Sequence, residues 1–424
     1  MARFRPFRAI RYASSRVPAM DGVVAPPYDV ISPAERDAFY ESSPFNCTRL
    51  ILNKDGHDAA AAQYRAWQAE GVLARDEAPA FYLYTQEFEA GGPRRRIGVL
   101  GALALEPYST GVVLRHENTF AHHKRDRLEL TKRVKANLSP IFCVYSKPGF
   151  VPEPDGGWDS KPDVDVMHQG VRHRMWAIRS EAGVRRIRDA VADEALFIAD
   201  GHHRYETALN YWYEVVSGGA EPPTAADSPG DDAQPAAHVL AFLAAFEDPG
   251  MVILPTHREL VSSGGANAEA FEREMAASFA LERFPADEAG AGRLVEALSK
   301  TAQGRHGFGI ALRGLAHFLL ATRPVVRGAV SPLEELDVKV LHDDILEGAL
   351  ARSGGSDPKL AYSIDAASIL KRVMSGELEG AFLMNATRPE QMAAVCRAGE
   401  LMPHKSTYFY PKLLTGLVFH ALDR

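Results

Sequence analysis

Residues 195–209 have the sequence ALFIADGHHRYETAL, which joins an apolar run to a helical pattern through a short polar loop. The first five residues are small or apolar with no polar alternation, as is typical of a short strand buried on both faces. After the loop, apolar residues recur at helical spacing, namely Tyr205, Ala208, Leu209, Trp212 and Val216. The stretch therefore predicts a strand, a loop at Asp200-Gly201, and a helix that begins near the two histidines.

The loop itself is dense in reactive side chains. The free N–H groups and the positive dipole end of the helix favour an anion over the loop, and Gly201 lets the backbone approach it. Arg204 can bind that anion bidentately, and His202 or His203 can move a proton near neutral pH. Asp200 can orient a histidine or hold a metal ion. In the alternative interpretation, Asp200 only caps the helix and the histidines lie on a solvated first turn.

A second cluster, RHENT at 115–119, follows a predicted strand end at 112–114. Strand ends are common positions for binding and catalytic groups. Glu117 is a candidate general base or metal ligand, Arg115 can neutralise phosphate charge, and His116 and Asn118 are candidate binding residues. From 119 to 137 the basic residues recur on a helical pattern that equally fits a solvated amphipathic face.

Residues 402–412, MPHKSTYFYPK, crowd cationic, hydroxyl and imidazole groups into one predicted loop. Lysines neutralise phosphate charge and hydroxyl groups donate to phosphate oxygens. The candidate binding residues here are His404, Lys405, Ser406, Thr407 and Lys412.

The N-terminal segment offers further candidates on a rigid double proline at 26–27, with a purely structural turn as the alternative. They are Arg5, Arg8, Tyr28 and Asp29.

Two resemblances follow from these motifs. The DGHHR loop at 200–204 resembles the phosphate-binding signature of the ParB/sulfiredoxin superfamily, which reads Asp-Gly-His-His-Arg in free serine kinases. His202 stands where sulfiredoxins have a reactive cysteine, so thiol chemistry is not expected at this loop.

Nearly the whole chain resembles a widespread bacterial family that is described only as a domain of unknown function. Genes of that family often lie beside serine-biosynthesis genes. The motifs that carry the resemblance are FRPFRA (4–9), PPYDV (26–30), RHENT (115–119), DGHHR (200–204) and MPHKST (402–407). The resemblances imply phosphoryl chemistry on serine or phosphoserine.

Net charge, cysteine spacing and the length of apolar stretches limit the partners and the location that we expect for this protein. A net charge of -7 and a pI near 6.1 argue against nucleic-acid and anionic-membrane partners. The three cysteines are far apart and lack the spacing of a disulfide framework or a zinc site, which fits a reducing cytoplasm. No apolar stretch has the length of a signal peptide core or a membrane span, so a cytoplasmic location is expected.

The pattern of elements predicts an α/β protein with a mixed sheet, because a hairpin is indicated over 81–84 and 97–105 beside buried strands. We expect a ParB/sulfiredoxin-like core with an additional α/β subdomain. The expected organisation is an N-terminal α/β region (1–147), a region carrying the DGHHR loop (148–217), a flexible insertion (218–237) and a C-terminal α/β region with the MPHKST loop (238–424).

The expected function is phosphoryl transfer on a small hydroxy amino acid, in either the kinase or the phosphatase direction. Such chemistry needs mainly positioning and charge neutralisation. ATP or ADP is the expected nucleotide of a kinase, with Mg²⁺ as its companion ion, although the sequence shows no common nucleotide-binding motif and leaves metal ligands unassigned. The alternative is a non-catalytic, ParB-like regulatory protein that binds a nucleotide or phosphorylated ligand.

Overall fold

A computed structural model of the 424-residue chain describes residues 1–119, 121–223, 234–302, 304–325 and 331–423, without the side chains of 121–123. The strands are β1 (Phe4–Arg5), β2 (Ile10–Tyr12), β3 (Leu73–Arg75), β4 (Phe81–Glu89), β5 (Pro93–Ala104), β6 (Val113–Leu114), β7 (Ala136–Asn137), β8 (Ile141–Tyr145), β9 (Val164–His168), β10 (Val171–Ile178), β11 (Leu196–Asp200), β12 (His238–Ala245), β13 (Val252–Leu254), β14 (His257–Ser262), β15 (Ala280–Pro285), β16 (Arg305–Leu312), β17 (His317–Pro324), β18 (Lys359–Ser363), β19 (Gly380–Met384), β20 (Tyr408–Tyr410) and β21 (His420–Ala421).

The α-helices are α1 (Pro33–Ser42), α2 (Thr48–Ile51), α3 (His57–Ala69), α4 (Ala121–Val134), α5 (Glu181–Val191), α6 (His202–Tyr211), α7 (Ala268–Ser278), α8 (Glu288–Ser299), α9 (Asp337–Val340), α10 (Ala366–Met374) and α11 (Pro389–Arg397). Short 3₁₀ helices cover Tyr28–Val30, Tyr108–Thr110, Pro235–Ala237 and Pro332–Glu335. Two π-helical segments continue α6 and α9, over Trp212–Val216 and Leu341–Leu350.

The chain forms two compact units. Unit 1 comprises Met1–Arg115, Thr119–Val252 and Phe409–Arg424, and unit 2 comprises His116–Asn118 and Ile253–Tyr408.

Unit 1 contains a large mixed sheet in the order β6-β11-β8-β12-β5-β4-β10-β9, with β1 paired to β5. The pairs β11–β6 and β12–β8 are parallel and the other pairs of this sheet are antiparallel. The predicted hairpin is confirmed as β4 and β5, whose turn contains Gly91 (φ 64°) and Gly92 (φ 120°). The mixed α/β fold class is therefore confirmed.

The strand, loop and helix predicted at 195–209 are also confirmed. β11 is buried along its apolar residues and ends at Asp200, and α6 begins at His202. α6 packs against α4 and buries Tyr205 completely in the core of the large sheet.

A second apolar core of unit 1 forms around α3, whose Tyr64 and Trp67 are buried with Phe419 of the C-terminal segment. α1 begins with a reciprocal capping box of Ser32 and Glu35, with Pro33 at the first helical position. The helical pattern predicted over 119–137 ends earlier, since Lys135 adopts a left-handed conformation (φ 54°) after α4.

Unit 2 contains an antiparallel sheet in the order β15-β17-β16-β19-β14-β18. Its core packs Leu294 of α8 and Ile369 of α10 against Leu383 of β19. Residues 337–350 are helical throughout, as α9 with its π-helical continuation.

Half of the flexible insertion predicted over 218–237, residues 224–233, lies outside the described residues. Among the helices that are described, none combines the length and apolarity that crossing a membrane requires.

Candidate functional site

The first turn of α6 has no side-chain cap among the described residues. Gly201 occupies the N-cap position in a left-handed conformation (φ 92°). A Cβ at Gly201 would lie 3.1 Å from the guanidinium carbon of Arg204, so glycine suits this position for both conformation and space. The alternative in which Asp200 caps the helix is therefore wrong. His202 is buried and His203 half-buried, so the histidines do not form a fully solvated turn.

Asp200 accepts hydrogen bonds from two cations, the guanidinium of Arg204 and the ammonium of Lys412. The exposed fractions of these three side chains are only 12–16%. Burial alone would raise the pKa of Asp200, but the charges of Lys412 and Arg204 hold it well below its ordinary value. Two cations against one carboxylate leave an excess positive charge at the start of α6, which the dipole of the helix reinforces.

Lys412 is held in place through its backbone. The amide of Gln86 donates to the Lys412 carbonyl (2.9 Å), and the carbonyl of that amide accepts from Nε of Arg96 (3.0 Å). Arg96 also donates to the carbonyls of Tyr410 (3.2 Å) and Pro411. Arg96 thus fixes the backbone of three consecutive residues, directly or through Gln86.

Arg96 is fully buried, and burial lowers its pKa to about 10. Its guanidinium carbon lies 4.8 Å from the ring centroid of Phe142, a cation–π distance. Sequence reasoning missed both Arg96 and Gln86. Several other polar residues lie in the same hairpin, so no signal in the sequence indicates that these two stand opposite each other and are fully buried.

Glu206 of α6 organises a second charged cluster in unit 1. Its carboxylate accepts from Arg115 (3.0 Å), Lys124 (2.9 Å) and the Thr119 hydroxyl. Burial alone would raise the pKa of Glu206, but the hydrogen bonds from Lys124 and Thr119 lower it. The guanidinium of Arg115 also lies 4.7 Å from the ring centroid of Tyr108. The structure therefore places Arg115 against a carboxylate that sequence reasoning did not single out.

In unit 2 the RHENT and MPHKST motifs meet. Residue 117 forms a parallel bridge with Met402, and the Met402 N–H donates to the His116 carbonyl (2.7 Å). The Ser406 N–H donates to Oε1 of Glu117 (3.1 Å), and Nε2 of His116 lies 3.0 Å from Oγ1 of Thr407. The Glu117 carboxylate is thus held by backbone, while Asn118 is exposed.

Arg258 lies beside the MPHKST loop and was not among the predicted site residues. It is fully buried and donates to the carbonyls of Thr256 and His404, the latter at 3.3 Å. Burial lowers the pKa of Arg258 to about 10. Lys405 has a left-handed backbone (φ 58°), which is unusual for a residue with a side chain. Within the described part of the chain it forms no ion pair.

The four N-terminal candidates are placed differently from one another. Tyr28 lies near the positive charge of Arg204. The guanidinium carbon of Arg127 lies over the Tyr28 ring, 4.3 Å from its centroid. Arg8 is exposed and donates to the Asp76 carbonyl (2.8 Å). Asp29 is exposed, and Arg5 lies in β1, opposite Ala102 of β5.

A metal site requires several ligating side chains close together. Across the residues that the structure describes, no three or more histidine, cysteine, aspartate or glutamate side chains are grouped so as to hold a metal ion. The Asp200 carboxylate is occupied by two cationic side chains.

The chain resembles several solved structures at low identity. Free serine kinase in complex with AMP is 15% identical with a TM-score of 0.36, and the match covers 73% of this chain and 86% of that one. A conserved hypothetical protein from Pyrococcus furiosus is 14% identical with a TM-score of 0.35, with coverages of 74% and 93%. SbnI with C-terminal truncation from Staphylococcus aureus is 9% identical with a TM-score of 0.33, with coverages of 75% and 86%.

No curated protein matches the chain. The family DUF1015, whose description is "Protein of unknown function", matches residues 4–339 and confirms the resemblance seen in the sequence motifs. The match spans most of the chain, including the RHENT and DGHHR motifs. The chain therefore belongs to the DUF1015 family.

Proposed function

We propose that this protein is an enzyme that transfers a phosphoryl group to or from a small hydroxy amino acid, serine or phosphoserine. The observation that carries the proposal is the pairing of Asp200 with both Arg204 and Lys412 at the uncapped start of α6. The resemblance of residues 200–204 to the free serine kinase signature supports the same chemistry.

A phosphate group at the start of α6 would be stabilised electrostatically. The excess positive charge of the cluster and the N–H groups of the first turn of α6 both favour a dianion. Asp200 stays deprotonated at neutral pH because its pKa is lowered, so it holds the two cations in place and does not supply a proton. Phosphoryl transfer depends mainly on such positioning and charge neutralisation.

His203 is the residue of this loop that we propose as proton acceptor for the attacking hydroxyl group or water. It lies in the first turn of α6 and is half-buried, and imidazole is the side chain most often used for proton transfer in enzymes. His202 is buried, and we propose that it shapes the loop from within. Glu117 remains a predicted general base on the sequence argument alone.

The direction of transfer sets the second substrate. A kinase would take the phosphoryl group from ATP or ADP, with Mg²⁺ bound to the nucleotide phosphates. A phosphatase would need only the phosphate site and water. Serine metabolism in the cytoplasm is the physiological setting that we propose.

The test is to measure phosphate release from phosphoserine, and phosphorylation of serine by ATP and by ADP with Mg²⁺, using the full-length protein. We expect one of these reactions to turn over and His203→Ala to reduce its kcat by 10²-fold or more, on the order expected for loss of a proton-transfer group. The matched control is His317→Ala, which removes a partly exposed histidine paired with Glu272 in unit 2.

Two outcomes would contradict the proposal. One is equal turnover by the two histidine variants. The other is no turnover by folded wild-type protein in any of the three assays, together with tight binding of phosphoserine or nucleotide, which would instead support a non-catalytic regulatory protein.

A further inference from the structure

A small pocket lies within unit 1 beside the first two turns of α6. Its volume is about 50 Å³, and its polar lining comes from Tyr28, Arg127, Asn137, Ser139, Arg204 and Thr207. Arg204 and Thr207 are three residues apart on α6 and therefore share one face of the helix. The pocket thus begins on the same helical turn whose arginine pairs with Asp200.

One buried hydroxyl group of this pocket lacks a partner. Thr207 is only 4% exposed, yet its Oγ1 forms no hydrogen bond with any described residue. Tyr28 also lines the pocket and brings a second hydroxyl group to its lining. Buried hydroxyl groups are nearly always satisfied, so an unpaired one that lines a cavity points to a bound group.

The charges of the lining select the kind of ligand. Two arginines, Arg127 and Arg204, line the pocket, and none of its lining residues is acidic; Arg127 pairs with Asp126 and Arg204 with Asp200 outside the lining. A ligand with hydrogen-bond acceptors and negative charge would accept from the Thr207 hydroxyl and be attracted by both arginines. A volume of about 50 Å³ accommodates about three to five water molecules at roughly 10–15 Å³ each, or a carboxylate with its first carbon, but no nucleotide base.

We propose that this pocket binds the carboxylate of the amino acid substrate, with hydrogen bonds from the hydroxyl groups of Tyr28 and Thr207. The inference rests on the proposed function, because it takes the substrate to be an amino acid whose phosphoryl group lies at the Asp200 loop. It assigns recognition of the amino acid to residues other than those that neutralise the phosphate.

The experiment is titration calorimetry of the full-length protein with L-serine, with L-serinamide and with inorganic phosphate. Serinamide replaces the carboxylate by a neutral amide. We expect wild type to bind serine at least tenfold more tightly than serinamide. Thr207→Val and Tyr28→Phe should each weaken serine binding about tenfold, as expected for a hydrogen bond to a charged group, without changing the affinities for serinamide and phosphate.

Thr85→Val is the matched control, because Thr85 is also fully buried in unit 1 with an unpaired Oγ1 but does not line the pocket. Both valine variants remove a buried hydroxyl that makes no hydrogen bond within the described chain, so both should fold. Thermal unfolding without ligand checks that they do.

The outcomes separate this inference from the proposed function. Phosphate binding together with equal affinities for serine and serinamide would overturn the pocket assignment and leave the phosphate site standing. Pocket variants that behave like Thr85→Val would overturn it as well. Selective serine binding that Thr207→Val abolishes, in a protein that binds no phosphate, would support the pocket and contradict phosphoryl transfer.

Discussion

The ammonium group of Lys412 donates a hydrogen bond to Asp200, a carboxylate 212 residues earlier in the chain. The same carboxylate accepts from Arg204, so residues from the DGHHR motif and from the C-terminal segment form one charged cluster in unit 1. The DGHHR motif and the 402–412 segment therefore both contribute side chains to this cluster.

Lys412→Met should weaken binding of inorganic phosphate at least tenfold, because it removes one of the two cations that give the cluster its excess positive charge. Titration calorimetry at low salt measures this. Lys300→Met is the control, since Lys300 is an exposed lysine paired with Glu296 four residues earlier in α8 and its C-cap. Equal phosphate affinities in the two variants would exclude Lys412 from anion binding.

Arg96→Met should destabilise unit 1 by about 2–4 kcal/mol, because it leaves buried backbone carbonyls without their donor. Phosphate affinity should fall along with stability, since the Lys412 backbone loses its support. Arg94→Met is the control on the same strand, where the side chain is exposed. Urea unfolding and phosphate titration measure the two effects.

Arg96→Lys separates positioning from charge in this network. A lysine keeps the positive charge but cannot reach Gln86 and two carbonyls with fixed planar geometry. We therefore expect phosphate affinity to fall in this variant too. Wild-type phosphate affinity in Arg96→Lys would show that charge alone matters at this position.

Acid should destabilise the fold between pH 6.5 and about 4. Burial lowers the pKa of His173 to about 3 and that of His420 to about 4. The unfolded chain, with ordinary histidine pKa values near 6.5, binds more protons in this window than the folded chain does. Stability is therefore highest above pH 6.5 and falls by up to about 1.4 kcal/mol per pH unit for each such histidine as pH decreases.

Urea unfolding at pH 7, 6 and 5 measures this dependence. In His173→Gln the slope of the unfolding free energy against pH should decrease by about one proton equivalent, whatever the absolute stability of the variant. His173 accepts or donates one hydrogen bond, to the Tyr84 hydroxyl (2.6 Å), which glutamine can retain. An unchanged slope would show that His173 titrates alike in the folded and unfolded chains.

Glu117→Gln should retain ligand affinity and lose turnover if the carboxylate is the general base. The glutamine carbonyl can still accept from the Ser406 N–H, so the contact between the RHENT and MPHKST motifs is preserved. Steady-state kinetics with a parallel binding titration distinguish the two effects. Full turnover in this variant would remove Glu117 from the mechanism and leave it a structural role.

Sequence periodicity predicted the elements whose apolar pattern is uninterrupted, such as β11 and the first half of β4. It missed α8, because Gly290 and Gly292 dilute the helical pattern. The structure explains Gly290, since a Cβ there would lie 1.9 Å from the Pro285 carbonyl oxygen. The close packing of α8 against the end of β15 thus requires glycine at position 290, although glycine has a low helix propensity.

The site shows a similar limit. Motif chemistry identified Asp200 and Lys412, but Gln86 and Arg96, which position the Lys412 backbone, lie far away in sequence and carry no motif. Arg115 was predicted from its residue type, whereas its contact with Glu206 depends on how α6 lies beside the strand end before residue 115. Such pairings follow from tertiary packing, which a single sequence does not specify.

The division of unit 1 into separate chain segments has a consequence for its biosynthesis. Residues from Phe409 onward supply Lys412, its two preceding carbonyls and Phe419 of the α3 core, and all of them are translated after the whole of unit 2. On the ribosome, Asp200 and Arg96 can therefore form these native contacts only after residues 410–412 have been synthesised. A nascent chain that stalls before Lys412 would present an incomplete charged cluster.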